Sequence, residues 1–205
     1  SLTVMVEWGL VVPPKSPYAN AGELIAAARQ NPGQLNYGSA GNGSPQQIAM
    51  ELLATEAGIK MTHIPYKGIN QTGIGVASGE VQAAFITLAS SKTLVKSNRI
   101  KLIGVTSPKR TSQYPNVPTI AESGLPGFEF SAWFALVAPA GTPQPIIQKL
   151  NAELIKAMKD PTVRQQLLAN GLNPVGSSPE ELAKKIQDQL ASYAALVKKT
   201  GMGTD

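Results

Sequence analysis

The chain has 205 residues, of which 42% are hydrophobic and 15% charged, proportions typical of a globular protein with one large domain or two small lobes. No apolar run approaches the roughly 20 residues needed to cross a bilayer, so no direct membrane insertion is expected. The lack of cysteine excludes disulfides and thiol catalysis, and the single histidine, His63, excludes a multi-histidine metal site. The net charge of +5 favours anionic partners, but aromatic residues are only 5% and the basic residues are scattered, which argues against nucleic acid.

The first half of the chain alternates short apolar strands with helical segments. Asn20, with Glu23 three residues later, predicts a capped helix that ends at Asn31, and a further helix is predicted over about 45–57. This β-α-β-α order predicts a mostly parallel sheet with covering helices. The predicted strands are Leu10–Val12, Leu35–Gly38, Met61–Ile64, Val81–Phe85 and Lys101–Thr106.

The second half is mainly helical. A segment rich in proline, serine and glycine, Ser107–Gly127, indicates a crossing between two units, and it precedes a predicted strand over Glu129–Ala138. Helices with apolar faces are predicted to begin near Thr142, Asp160 and Ser178. Only one short strand, Leu172–Val175, is predicted beside them. Because an amphipathic helix buries its apolar face, these helices either pack on the sheet of the first half or belong to a second unit whose other strands lie in a segment outside the sequence. We expect the second arrangement.

A glycine-rich segment between a strand and a helix carries the clearest chemical signal. The stretch from Asn36 to Gln47 places glycines before a helix that begins at Ser44, with Pro45 at its first position and Gln47 completing a capping box. Glycines let a ligand approach the backbone, and a helix start offers free N–H groups to a carboxylate or a phosphate. A tight turn before a well-capped helix explains the same pattern without a ligand.

Two enzymatic interpretations of this segment lack required features. A nucleotide phosphate loop needs a Gly-Lys-Ser/Thr ending, which is absent. A serine hydrolase needs a nucleophile elbow, and the spacing of Gly38, Ser39 and Gly41 does not provide one; His63 would also have to be the only base. A small α/β enzyme that handles phosphate or acyl groups stays open as the alternative function.

A second segment, His63–Gly68, follows a predicted strand. In open α/β sheets ligands gather at the carboxyl ends of strands. Tyr66 could donate a hydrogen bond there and Lys67 could supply a positive charge, although a surface turn with an exposed lysine has the same pattern.

With these segments the sequence resembles the Bug family, the TctC-like substrate-binding components of tripartite tricarboxylate transporters. The resemblance follows the family's order over nearly the whole chain. It rests on the stretches Leu35–Ser44, His63–Gly68, Gly104–Arg110, Val117–Gly124 and Ala138–Pro143.

The resemblance implies an α/β, type II periplasmic-binding-protein fold with two lobes and parallel-type sheets, the first lobe being incomplete. Residues 1–120 would form the ligand-binding lobe with an entering crossover strand, and 121–205 the returning strand and C-terminal helices of the other lobe, whose N-terminal part is missing. It further implies a periplasmic protein, with its signal peptide outside this sequence, that captures a small organic acid. Its partners would be the membrane subunits of a transporter, and it would need no cofactor and no metal.

Site residues carried over from the family lie in both halves of the chain. The expected ligand contacts are Ser39, Ala40, Gly41, Asn42, Gly43, Ser44, Tyr66, Lys67, Gly68, Thr87, Trp133 and Phe134. No catalytic residue is expected.

The sequence departs from the family at two site positions. Many members have histidine where this chain has Gln47, and many have an acidic residue where it has Ile86 and Thr87. Without that acid an ammonium group has no counter-charge, so we expect a plain or aromatic carboxylic acid rather than an amino acid. A third interpretation is a folded remnant, paired with another copy, that binds nothing.

Overall fold

A computed structural model describes residues 1–202 as two compact units. The small unit comprises Ser1–Glu7 and Ser131–Ala194, and the large unit comprises Trp8–Phe130 together with residues 195–202. That residues 1–120 and 121–205 belong to two different lobes of the full binding protein stays a prediction. None of the helices found within residues 1–202 combines the length and the apolar character that crossing a membrane requires.

Strands and helices alternate through most of the chain. The strands are β1 (Leu2–Val6), β2 (Trp8–Val12), β3 (Asn36–Ser39), β4 (Thr62–Pro65), β5 (Ala83–Thr87), β6 (Lys101–Val105), β7 (Ala132–Ala135) and β8 (Leu172–Pro174). The helices are α1 (Ala21–Gln30), α2 (Pro45–Ala57), α3 (Ile69–Ser78), α4 (Leu88–Lys96), α5 (Gln144–Lys159), α6 (Pro161–Ala169) and α7 (Pro179–Thr200).

The large unit is built on a five-stranded sheet in the order β4-β3-β5-β2-β6. The expected parallel pairing holds for β3 with both β4 and β5. It is wrong for β2, which runs antiparallel to β5 and β6. Strand β3 therefore starts at the edge of the sheet where β2 ends, since β3 runs parallel to β5 and β2 runs antiparallel to it. The sheet is therefore mixed.

The core of the large unit follows from the burial of its central strands and the amphipathic first helix. All five residues of β2 are buried. Helix α1 buries Leu24, Ile25 and Ala28. Its predicted capping box is half correct: the Asn20 side chain accepts from the Glu23 N–H at 3.1 Å, but the Glu23 carboxylate accepts from the N–H of Ala19, at 2.7 Å, rather than from that of Asn20.

The small unit has a three-stranded antiparallel sheet in the order β7-β1-β8, so the expected parallel-type sheet is wrong here also. Strand β1 was not predicted, although its alternate residues Leu2, Val4 and Val6 are buried. The predicted strand over Glu129–Ala138 is too long. It pairs with β1 along Ala132–Ala135, and the adjoining Leu136 exchanges backbone hydrogen bonds with Ser1.

The helices of the small unit keep exposed apolar faces. Neither α5 nor α6 has a buried residue. Ile146 and Leu150 are each 49% exposed, and Leu190 on α7 is 66% exposed. The apolar stripes predicted from the sequence are thus present, and no other element of residues 1–202 covers them fully.

Candidate functional site

Three parallel strands of the large unit end side by side, and a helix begins near each end. Strand β3 ends at Ser39, which lies opposite Pro65 at the end of β4, and β5 on the other side of β3 ends at Thr87. Helices α2, α3 and α4 follow these strands. We call this side of the sheet the carboxyl edge. Helix starts carry unpaired N–H groups and partial positive charge, so this edge favours an anion.

The glycine-rich loop, Ser39–Ser44, connects β3 to α2 at this edge. Gly41 has a φ of 125° and Gly43 a φ of 71°, which side-chain-bearing residues rarely adopt. The Ser44 N–H donates to the Gly41 carbonyl at 3.3 Å and closes the turn. Within residues 1–202 the backbone N–H groups of Ala40 and Asn42 donate no hydrogen bond. They are available to an incoming acceptor.

The predicted capping box at α2 is half correct. The Ser44 hydroxyl accepts from the Gln47 N–H at 3.5 Å, as expected of an N-cap. The Gln47 side chain, however, reaches the N–H of Gly43 at 2.8 Å rather than that of Ser44. The reason is that the Ser44 N–H is already bonded to Gly41. Gln47 therefore links the helix to the interior of the loop.

Ser39, His63 and Gln47 form a network that the sequence did not predict. The Ser39 Oγ lies 2.6 Å from the His63 Nε2, and the Gln47 Nε2 lies 3.2 Å from the His63 Nδ1. The Tyr37 ring stacks on the imidazole with centroids 5.0 Å apart, and the Tyr37 hydroxyl donates to the Glu51 carboxylate at 2.5 Å. The parallel register of β3 and β4 places Tyr37 opposite His63 and produces these contacts.

This network differs from a serine-hydrolase triad in the group that faces the histidine. In a triad a carboxylate accepts from the Nδ1–H and leaves Nε2 free to take the serine proton. Here the Gln47 oxygen already accepts from Gly43, so its NH₂ group faces Nδ1, where a triad has a carboxylate. Ser39 is also fully buried. The arrangement holds the serine in place without the carboxylate that orients the histidine of a triad.

The partly buried position of His63 makes stability depend on pH. Burial lowers its pKa below the ordinary value of 6.5, so the unfolded chain binds more protons than the folded chain below that pH. We expect the melting temperature to fall as pH decreases from about 6.5 toward the lowered pKa. Above about pH 6.5 the stability contributed by the neutral His63 should be fully present. Differential scanning calorimetry between pH 5 and 7 measures it. His63→Gln, which keeps a donor for Ser39 without titrating, should flatten the profile; an equal slope in both proteins would contradict the prediction.

Tyr66, Lys67 and Gly68 follow β4 at the carboxyl edge. The Tyr66 N–H donates to the Ser39 carbonyl at 2.9 Å, which joins this segment to the glycine-rich loop. Its hydroxyl is buried beside Gly75 of α3, and burial is the main cause that raises the pKa of Tyr66 to about 12. The Lys67 side chain is exposed, and Gly68, with a φ of 117°, is the N-cap of α3. The structure brings the three residues together, with the tyrosine hydroxyl packed inside the protein.

The remaining predicted site residues lie in two places. Thr87 ends β5 and caps α4, where its hydroxyl accepts from the Ser90 N–H at 3.2 Å. Trp133 and Phe134 lie on β7 of the small unit. The Trp133 indole N–H donates to the Gln189 side chain at 2.6 Å, and Phe134 is 62% exposed. Their role toward a ligand stays a prediction.

The fold of the chain is that of the periplasmic binding proteins. It matches the periplasmic binding protein BugD with a TM-score of 0.80 and 28% identity, over 98% of this chain and 68% of BugD. It also matches the structure of R. palustris Rpa4515 with adipate, with a TM-score of 0.86 and 32% identity, over 98% of this chain and 68% of that one.

Within this class the sequence identifies one family. Residues 2–202 match the tripartite tricarboxylate transporter family receptor, TctC, and the chain belongs to this family. A curated relative, the UPF0065 protein in the tcbD-tcbE intergenic region of Pseudomonas sp. (strain P51), is 38% identical over 189 residues, which is 92% of this chain. The chain spans 56% of the length of that relative.

Proposed function

We propose that the protein is a periplasmic receptor that captures a small organic acid and delivers it to the membrane subunits of a tripartite tricarboxylate transporter. Membership of the TctC receptor family over residues 2–202 carries this proposal. The large unit would be the ligand-binding lobe, because it holds the glycine-rich loop and the three helix starts of the carboxyl edge.

The chemistry of the carboxyl edge supports a carboxylate as the group that is recognised. The free N–H groups of Ala40 and Asn42 and the starts of α2 and α3 suit an oxygen anion. The exposed Lys67 adds a positive charge beside them. The presence of adipate in the Rpa4515 structure supports the same class of ligand.

The residues at the end of β5 favour an acid without an amino group. Ile86 and Thr87 occupy this position and carry no negative charge. An ammonium group brought to this edge would meet helix starts and Lys67 without a counter-charge, which is unfavourable. We therefore propose a plain dicarboxylate, a tricarboxylate or an aromatic acid as the ligand, in preference to an acidic amino acid.

A ligand panel tests the proposal. Isothermal titration of the chain with adipate, malate, citrate, benzoate and glutamate should give saturable binding to at least one acid without an amino group. Selective binding also stabilises the folded protein, by about 2.7 kcal/mol at a hundredfold excess of ligand over Kd, and so raises the melting temperature. Glutamate serves as the matched control, because it has two carboxylates as malate does. Saturable binding to none of the acids would contradict the proposal, and binding to glutamate alone would contradict the proposed ligand class.

A further inference from the structure

We propose that Gln47 is a positioning residue for the binding site: it fixes the tautomer of His63, and through His63 and Ser39 it fixes the shape of the glycine-rich loop. The inference rests on the proposed function for its effect on ligand affinity. Its structural part concerns only hydrogen bonds within the large unit, and can be tested without a ligand.

The orientation of the Gln47 amide is determined by its backbone partner. The Gly43 N–H can only donate, so the atom of Gln47 that lies 2.8 Å from it must be the carbonyl oxygen. The NH₂ group of Gln47 then faces the His63 Nδ1 at 3.2 Å. Since an NH₂ group has no lone pair to offer, Nδ1 must be the unprotonated nitrogen of the imidazole.

The tautomer of His63 then determines the hydrogen bonds of Ser39. With the ring neutral, the proton is on Nε2 and is donated to the Ser39 Oγ at 2.6 Å. The same oxygen accepts from the Gly41 N–H at 3.1 Å, and its own proton goes to the Gly41 carbonyl at 3.0 Å. The Ser39 hydroxyl thus accepts two hydrogen bonds and donates one, which uses its full capacity.

Because these side chains bond to one another, the groups available to a ligand are backbone N–H groups. Ser39 is fully buried, and within residues 1–202 the hydrogen bonds of its hydroxyl go only to Gly41 and to His63. It therefore shapes the loop and does not itself hold the ligand. The Ser39 hydroxyl bonds to Gly41, and the N–H groups of the two neighbouring residues, Ala40 and Asn42, are left free.

Protonation of His63 is incompatible with the arrangement. A proton on Nδ1 would point at the NH₂ group of Gln47, and rotating the amide to accept it would place NH₂ against the Gly43 N–H. The ionisable groups that face the ring from neighbouring elements are Tyr37 on β3, which stacks on it, and Glu51 on α2, whose carboxylate accepts from the Tyr37 hydroxyl. The Glu51 carboxylate is thus engaged by Tyr37. Replacing the Gln47 amide with a carboxylate removes the conflict, because both oxygens of a carboxylate accept.

Nitrogen NMR provides a direct test, since His63 is the only histidine in the chain. In the wild type at pH 7 we expect the neutral tautomer with the proton on Nε2. In Gln47→Glu we expect a proton on both nitrogens at pH 7 and a raised pKa of His63, because the new carboxylate accepts from Nδ1–H and still accepts from Gly43. In Gln47→Leu both bonds are lost, and the His63 signals should show a mixture of tautomers.

Affinity for adipate and malate, measured by titration, gives the functional result. Gln47→Leu should weaken binding by about tenfold or more, because the Gly43 N–H and the partly buried Nδ1 of His63 both lose their hydrogen-bond partner. Gln47→Glu keeps the hydrogen bond to Gly43, so it should bind these acids more tightly than Gln47→Leu does. Gln82→Leu is the matched control: the Gln82 side chain accepts from the Asn36 N–H at 2.9 Å, at the opposite end of β3. It should change neither the tautomer of His63 nor the affinity.

Different results would overturn the inference and the proposed function. A wild-type His63 with its proton on Nδ1, or an unchanged tautomer in Gln47→Leu, would overturn the inference whether or not any acid binds. Equal affinities of wild type and Gln47→Leu would also overturn it. Absence of binding by the wild type, with the expected tautomers present, would contradict the proposed function and leave the hydrogen-bond chain established.

Discussion

Gly41→Ala should weaken carboxylate binding by tenfold or more while leaving the protein folded. At Gly41 an added methyl group would meet only the Tyr66 carbonyl oxygen, at the ordinary distance of 3.6 Å, so space is not the obstacle. The obstacle is the φ of 125°, which costs a residue with a side chain about 1–3 kcal/mol. The loop relieves this strain by turning Gly41 to another conformation, which breaks its two hydrogen bonds with Ser39. Titration with adipate and malate measures the loss.

Gly33→Ala is the matched control for this change. Gly33 also has a positive φ, of 76°, and an added methyl group there would approach only the end of the Lys60 side chain at 3.9 Å. It lies in the turn before β3, away from the carboxyl edge. Both variants should lose some stability, and only Gly41→Ala should lose affinity. Wild-type affinity in Gly41→Ala would show that the loop conformation does not determine binding.

Gly75→Ala should destabilise the large unit by about 2 kcal/mol, the ordinary cost of overpacking a core. An added methyl group would overlap the Tyr66 hydroxyl and lie 2.5 Å from the Tyr66 Cζ. The other edge of the ring lies over Gly38, where the lack of a side chain makes room for it. The gain in helix propensity, about 1 kcal/mol, offsets only part of this cost. Urea denaturation gives the free energy of unfolding.

Gly73→Ala, in the same helix, separates the clash from the effect of helix propensity. There the methyl group would meet the end of the Leu94 side chain at 3.0 Å, and this flexible group can shift. We expect a change smaller than about 1 kcal/mol, because the gain in helix propensity offsets the small rearrangement. If Gly75→Ala proved as stable as Gly73→Ala, the packing described for the Tyr66 hydroxyl would be wrong.

Local signals predicted the parts of the site that depend on neighbouring residues in the sequence. The glycines before Ser44, with Pro45 after it, were sufficient to predict the loop and the start of α2. The approach of Ser39 to His63 was not predictable in this way, since it depends on the pairing of β3 with β4 across 24 residues of sequence. The buried hydroxyl of Tyr66 was missed for the same reason, because the sequence around Tyr66 gives no sign that Gly75 provides the space.

The overall fold shows the same division between local and distant information. The alternation of strands and helices predicted the parallel arrangement of β3, β4 and β5, since short βαβ connections favour it. The predicted direction of β2 was wrong. Residues 13–20, between β2 and α1, allow the chain to return along the sheet before β3 begins. Strand β1 was missed because its partners, β7 and β8, lie more than half the chain away and leave no local turn signal.

The position of β1 also sets an order of folding. Ser1 and Leu2 bond to Leu136 and Ser177, across sequence separations of 135 and 175 residues. The five-stranded sheet needs only the chain from Trp8 to Val105, so it can form while later residues are still being synthesised. Closing such long loops is slow and entropically costly. We therefore expect the small unit to assemble after the five-stranded sheet, because β1 finds its partners β7 and β8 only late in the chain.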